Sequence, residues 1–268
     1  MGRVKVFLRA CHPLPAAAVT AIITVCGVAL GWRGWSVMGL ALAVGVGQLS
    51  VGWSNDAFDA PLDARVRRTA KPTVTGEVGT QALWVAAWCA LVVSVVLSWC
   101  VAGWVGGSFY LLWLAAAWLY NVALSRTGWS WLPYAVAFGS VPALLTYGLD
   151  GSPPEPWMVA VFSVVGVSAH LANALPDIEI DRAAGVGGAA VVLGERRSAD
   201  VAWGLLAVGS TILGAVVWQA SWLLAIGVLA GYAVAWIFAH RSRGRDAMFR
   251  GLLAAVGLDL VVLVIALS

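Results

Sequence analysis

Apolar residues run along this 268-residue chain in long blocks, not in the alternation of a half-buried sheet or the one-sided stripe of a soluble helix. Nine blocks stand out, at residues 12–31, 35–54, 80–102, 105–124, 130–148, 156–176, 199–218, 221–240 and 248–267. Each is about 20 residues long, enough for a helix to cross roughly 30 Å of hydrocarbon while satisfying its own backbone hydrogen bonds. The short alternating strands that a membrane barrel needs are absent from the pattern. The expectation is an all-α, polytopic membrane bundle of nine transmembrane helices, a single domain over residues 1–268.

Composition agrees with that pattern. Hydrophobic residues make up 61% and charged residues 11% of the sequence, and mean hydropathy is +0.89, so lipid is the solvent for most of the chain and no separate soluble domain is expected. The basic stretch Met1–Arg9 leads into the first block without a small-residue cleavage site followed by a soluble portion, so the first helix is expected to stay as an anchor. Of the sixteen Lys and Arg residues, all but Arg33 precede the first block, follow an even-numbered one or, as Arg250 does, sit at the start of the ninth. That bias places the N-terminus and the links after the second, fourth, sixth and eighth blocks in the cytoplasm. The net charge of +3 gathered there suits an anionic leaflet and gives no reason to invoke nucleic acid; it names no protein partner. A chain rich in Ala, Val, Gly and Arg but poor in Lys points to a high-GC bacterium, hence a bacterial plasma membrane. Cys11, Cys26, Cys89 and Cys100 have no C-x-x-C spacing and read as small core residues.

The links after the second and sixth blocks are each about 20 residues long, and long loops in a compact bundle usually carry function. Both open with the same spacing, Asn55, Asp59, Asp63 and Asn173, Asp177, Asp181. On a helix, every fourth residue lies on one face and drifts by only about 40° per step. The motifs start 118 residues apart, at equivalent places, which implies a duplicated four-helix unit with a ninth helix added. Four aspartates and two asparagines aimed at a shared space repel one another and are costly to desolvate unless a hard cation joins them. Magnesium accepts such oxygens and completes its shell with water and substrate phosphates. The six residues therefore read as a Mg2+ site and the four aspartates as the catalytic set. Solvated helix-end carboxylates paired with arginines are the plainer reading, which explains one motif more easily than two.

Neighbouring side chains fit the same chemistry. Arg68 and Lys71 lie five and eight residues past Asp63, ahead of Pro72, placed to fold back over a metal-bound anion, and Arg182 is similarly placed after Asp181. Interfacial snorkelling is the alternative for all three. Of the 16 Trp residues, Trp84, Trp88, Trp113, Trp118, Trp203 and Trp236 fall inside blocks, where they either pack the core or wall a cavity for an isoprenoid tail and its cation. Gln48, two helical turns ahead of Asn55, and His170, seven residues ahead of Asp177, are pocket candidates together with Tyr120, Asn121 and Tyr147. Asp259, in the ninth block, is assigned no catalytic role.

These motifs closely resemble those of the UbiA superfamily of intramembrane prenyltransferases. The resemblance rests on Asn55-Asp56-x-x-Asp59-x-x-x-Asp63 followed by Arg68 and Lys71-Pro72, and on Asp177-x-x-x-Asp181 followed by Gly185 and Gly194. Arg9-Ala-Cys-His12-Pro13 and Tyr120-Asn121 near Arg126 resemble shorter family features. The resemblance covers essentially the whole chain. It implies a magnesium-dependent enzyme that binds a polyprenyl diphosphate between the two motifs, with Asp59, Asp63, Asp177 and Asp181 holding the metal, Asn55 and Asn173 assisting, and Arg68 and Lys71 neutralising the leaving group. One departure is that Arg182 is followed by AAGVGGAAVVLG, with no further cation before Arg196, so the phosphate clamp on that side is either thinner or supplied by Arg126. Three functions follow from these readings: prenyl transfer to a small, aromatic acceptor; a terpene synthase of the same superfamily that cyclises a prenyl diphosphate without an acceptor; and, motivated only by the repeat and the intramembrane polar residues, a transporter.

Overall fold

The structure, a computed structural model, describes residues 2–66, 68–218, 221–241 and 245–267. Every regular element among them is helical: α1 (Arg3–Ala10), α2 (Pro13–Leu30), α3 (Trp35–Arg65), α4 (Thr80–Leu119), α5 (Leu132–Leu149), α6 (Pro156–Ala174), α7 (Ile178–Ala183), α8 (Ala189–Leu193), α9 (Glu195–Trp218), α10 (Trp222–Arg241) and α11 (Arg245–Leu267). A π-helical turn, Tyr120–Leu124, prolongs α4, and a 3-10 turn, Leu175–Asp177, joins α6 to α7. Among the described residues seven helices are long and apolar enough to cross a membrane. This is a multi-pass membrane protein.

Two of the nine expected blocks, 80–102 and 105–124, are two helical legs of α4 that meet and double back at Gly103, whose φ of 65° and ψ of −176° lie where essentially only glycine settles. Ser94 Oγ and Tyr110 OH lie 3.0 Å apart, although sixteen residues of straight helix would separate them by about 24 Å. The two legs touch closely: a Cβ on Gly107 would stand 3.0 Å from Trp99 Cα, and Trp99 stacks on Trp104 with ring centroids 4.8 Å apart. Such a reversal needs no loop, and the tight helical hairpin has two legs that match the two blocks hydropathy reads.

The chain divides into two compact units. In the first, Met1–Ala123 with Leu144–Ser152, α3 runs along both legs of α4. Ser50 Oγ donates to Ala87 O at 2.8 Å, Ser94 Oγ to Ala43 O at 2.7 Å and Tyr110 OH to the same carbonyl at 3.0 Å. Small residues on α3 permit that approach, since a Cβ on Gly47 would run into Tyr110, Ser94 and Leu114. Helix α2 starts on Pro13, whose missing N–H costs a first turn nothing. It ends at Gly31, φ 119°, where Trp32 N–H reaches back to Gly27 O at 2.9 Å. Trp32 is itself buried and its indole N–H donates to Leu145 O at 3.0 Å.

In the second unit, Leu124–Ala143 with Pro153–Ser268, α9 packs on α6, α10 and α11. Asp259 of α11 is buried and both its oxygens accept from Ser210 Oγ of α9, at 2.8 and 3.0 Å, so this intramembrane carboxyl group bridges two helices. Tyr232 OH of α10 donates to Trp203 O of α9 at 2.9 Å. The four cysteines are free; Cys11 and Cys26 are buried as expected, whereas Cys89 and Cys100 lie exposed on the outer face of α4 and are not core residues. Burial pushes the Cys11 thiol above its ordinary pKa, which keeps it neutral as it donates to Leu8 O.

Candidate functional site

In the first unit Asn55, Asp59 and Asp63 stand on the last turns of α3, which continues eleven residues beyond its apolar block and through Pro61. That proline removes the N–H that would bond Ala57 O, so the helix is weakened between the two aspartates. Around the helix Asp56 lies only about 20° from Asp63, whereas Asn55 lies about 80° from it. The two most deeply buried carboxylates of the motif are accordingly Asp56 and Asp63, whose side chains are 0% and 1% exposed. Among the described residues, both Asp63 oxygens and Asp56 Oδ2 are buried without a hydrogen-bond partner. Arg68 Nη1 lies 3.5 Å from Asp63 Oδ1 and offers charge but no hydrogen bond. Buried carboxylate oxygens left in this state are costly, and an electropositive ligand relieves the cost.

The π-helical turn sets Asn121 against this face. Asn121 is buried, its Nδ2 donating to Val51 O and to Ser54 Oγ, each at 2.9 Å. Its Oδ1 accepts from Asn55 Nδ2 at 3.3 Å, and the same nitrogen donates to Asp59 Oδ2 at 3.3 Å. Both bonds use the Asn55 amide nitrogen, so its carbonyl oxygen is the atom turned elsewhere and suited to a cation. One turn earlier on α4, Trp118 Nε1 donates to Ser50 Oγ at 3.1 Å. Insertions of the π type recur at functional sites because the extra residue re-aims side chains, and Asn121 shows that effect. Tyr120, beside it, and Gln48, two turns before Asn55 on α3, are half-buried.

Lys71 folds back toward α3, as its position past Asp63 implies. Its Nζ donates to Asp56 Oδ1 and lies 2.9 Å from His12 Nε2, which is itself 3.0 Å from Asp56 Oδ1. His12 reaches that point because its backbone is left-handed, φ 53°, and because Cys11 crosses α3 directly over Gly52. Tyr147, by contrast, stacks on Phe109 at 5.6 Å, six residues beyond the Gly103 turn. Asn121 is twelve residues further along the same leg, about 18 Å of helix, so Tyr147 does not line the acidic end of this unit.

In the second unit the other motif departs from a continuous helix. Asn173 stands in the last turn of α6, Pro176 sits within the 3-10 turn, and Asp181 belongs to α7. A 3-10 turn advances about 120° per residue instead of 100°, so Asp177 is rotated roughly 60° further from Asn173 than α-helical spacing gives. Asn173, Asp177 and Arg182 are exposed and Asp181 is half-buried. The loop that follows runs over the segment bearing Arg126: Cβ atoms on Gly187 and Gly188 would stand 3.2 Å from Arg126 O and 3.1 Å from Ser125 O. Ser130 Oγ accepts from Ala189 N–H at 2.9 Å and lies 3.0 Å from His170 Nε2, whose ring stacks on Tyr134 at 4.4 Å. His170 is therefore buried in a network that ties the loop after Asp181 to α6.

Among the described residues no three His, Cys, Asp or Glu side chains are grouped so as to hold a metal ion by themselves. The donor set still fits magnesium, which binds through one or two carboxylates and takes its other oxygens from water and phosphate. Buried, unpartnered oxygens on Asp63 and Asp56 are what such an ion would satisfy.

The model of the UbiA prenyltransferase family matches residues 17–255. The chain belongs to that family. Solved UbiA relatives share its fold. A UbiA homologue from Archaeoglobus fulgidus bound to GPP and Mg2+ superposes with a TM-score of 0.73 at 16% identity, covering 98% of this chain and 99% of its own. An apo UbiA homologue from Aeropyrum pernix K1 gives 0.72 at 17% identity over 93% of this chain and 98% of its own. A digeranylgeranylglyceryl phosphate synthase of membranes gives 0.76 at 11% identity over 100% and 99%. No curated protein sequence matches. Against this UbiA frame, two residues escaped sequence reasoning: Asp56, written inside the motif but not on its four-residue period, and Ser130. For Asp56 the seven-residue interval to Asp63 was the available signal; Ser130 has none.

Proposed function

We propose that this UbiA-family protein is a magnesium-dependent prenyltransferase that ionises a polyprenyl diphosphate and passes the prenyl group to a small, aromatic acceptor. The observation that carries the reading is the acidic end of α3, where Asp63 and Asp56 hold buried oxygens with no hydrogen-bond partner among the described residues. Family membership and the GPP and Mg2+ bound to the Archaeoglobus fulgidus homologue support it. Asn55, Asp59 and Asp63, and in the second motif Asn173, Asp177 and Asp181, are the residues that would hold the metal. Bound there, magnesium neutralises charge on the departing diphosphate.

The chain's own residues do the rest. Asn121 orients Asn55 through its Oδ1, while Arg68 beside Asp63 adds a cation for the diphosphate, with Lys71 next in line. Arg182 follows the second motif directly in sequence, and the backbone of Arg126 lies against the loop after it, which makes these two the candidate anion contacts on that side. Apolar helix faces beyond the motifs suit an isoprenoid tail and keep water from an allylic cation, which a water molecule would quench. Gln48 and Tyr120 are the remaining polar candidates for holding an acceptor. The charge bias supports a reading with both motifs on the cytoplasmic side, and the Ala-, Val-, Gly- and Arg-rich composition supports a bacterial plasma membrane.

The burial of His170 in the Ser130 network removes one acceptor-binding candidate and favours a second reading, a UbiA-type terpene synthase that needs no acceptor. Incubating the purified protein with Mg2+ and C10 to C20 prenyl diphosphates separates the two. Prenyl transfer predicts pyrophosphate release that rises on addition of an aromatic acid or phenol; a cyclic hydrocarbon formed without any acceptor supports the synthase instead.

A further inference from the structure

The segment after the first motif, residues 68–79, is a run of turns with no helix of its own, yet it holds Arg68 beside Asp63. Local backbone bonds hold part of it, among them Arg68 N–H to Asp63 O at 3.0 Å, and two further contacts come from the N-terminal stretch of the chain. At one point Lys71 Nζ, Asp56 Oδ1 and His12 Nε2 meet, the carboxylate being fully buried and shared by two nitrogens from separate segments. At a second point Arg9 spans the gap: its Nη1 donates to both oxygens of Glu77 at 3.2 Å, and its Nη2 donates to Ala70 O at 3.2 Å. Glu77 is in turn fastened by Thr75 Oγ1, which donates to its Oε1 at 2.9 Å.

Helix α1, which supplies Arg9, is itself docked on α3. Trp53 Nε1 donates to Phe7 O at 2.9 Å and Phe7 meets Trp53 edge-on at 5.8 Å, while Gly52 lets the Cys11 backbone cross. The positive charge of Lys71 is thus committed to Asp56, and the main chain from Lys71 N to Arg68 O, 3.0 Å, carries that anchorage back to Arg68.

We infer that the Arg9–Glu77 and His12–Asp56–Lys71 contacts form a two-point clasp that binds α1 to the segment after the first motif, with His12, Asp56 and Arg9 acting as positioning residues that hold Arg68 over Asp63. The inference rests on the proposed role of Arg68 in diphosphate binding. It assigns Lys71 first to anchoring the segment and only then to the anion. Because the clasp acts on ground-state placement of a cation, its loss raises the KM for prenyl diphosphate more than it lowers kcat.

Charge reversal tests it, since Arg9 and Glu77 are partly exposed and tolerate substitution. Full-length wild type, Arg9→Glu, Glu77→Arg and the double variant are compared in detergent by amide hydrogen exchange over residues 68–79 and by steady-state kinetics with geranyl diphosphate and Mg2+. Each single reversal is expected to speed exchange and raise KM by roughly three- to tenfold with kcat within about twofold, and the double variant to restore both. His12→Ala, a half-exposed site, should repeat the single-variant behaviour. Unchanged exchange in the single variants, or a double variant as impaired as either single one, overturns the clasp. Faster exchange with an unchanged KM overturns the positioning role. If the wild type consumes no prenyl diphosphate, the functional reading fails and the exchange data alone decide the clasp.

Discussion

Asp63→Asn is expected to reduce prenyl diphosphate turnover by on the order of a hundredfold or more, while the melting temperature in detergent stays the same or rises. Both oxygens of Asp63 are buried and have no hydrogen-bond partner among the described residues; Arg68 stands 3.5 Å away, and Lys71 adds a second positive charge nearby. A structural carboxylate is ordinarily hydrogen-bonded by the residues around it. Neutralising it removes the cost of burying a charge, and Arg68, whose side chain is 39% exposed, loses little because water solvates it. Steady-state turnover and thermal unfolding on one preparation check both halves. A variant that unfolds more easily yet turns over normally would show that Asp63 serves the fold.

Gly52→Ala is expected to produce the largest loss of stability from a single methyl group. A Cβ at that position would stand 2.7 Å from both the carbonyl carbon and the Cα of Cys11 and would press on its carbonyl oxygen. These are backbone atoms, which cannot rotate aside as a side chain would, so α1 and the start of α2 must lift from α3. Overpacking of this kind costs roughly 1–3 kcal/mol. Lifting also withdraws His12 from Asp56 and leaves a buried ion pair short of one contact. Thermal unfolding together with exchange at residues 10–16 measures the effect. Wild-type stability in Gly52→Ala would mean that the crossing is looser than the packing indicates.

Much of this architecture is legible in the sequence because lipid imposes strict terms. Blocks of apolar residues must be helical, and Asn55, Asp59 and Asp63 fall within about 80° of one another because four residues nearly complete a turn. The short link at Gly103–Trp104 marks the reversal between the two legs of α4. The second motif reads as the twin of the first until Pro176, where the chain tightens into a 3-10 turn that the four-residue spacing cannot reveal. Asp56 is hidden for a different reason. Its partners lie 44 residues earlier and 15 residues later, so its role arises from tertiary contacts that no local period records. His170 and Tyr147 look like pocket groups because polar residues inside spans usually serve function, and only the structure shows one bonded to Ser130 and the other stacked on Phe109.

The account turns on both acidic motifs acting through magnesium on a diphosphate. Pyrophosphate release from geranyl diphosphate, followed in wild type, Asp59→Ala and Asp177→Ala with and without a magnesium chelator, tests that claim most directly. Release that requires Mg2+ in the wild type, stops with the chelator and is absent from both folded variants is the predicted result. Release that persists in both variants, or that the chelator does not affect, would contradict it.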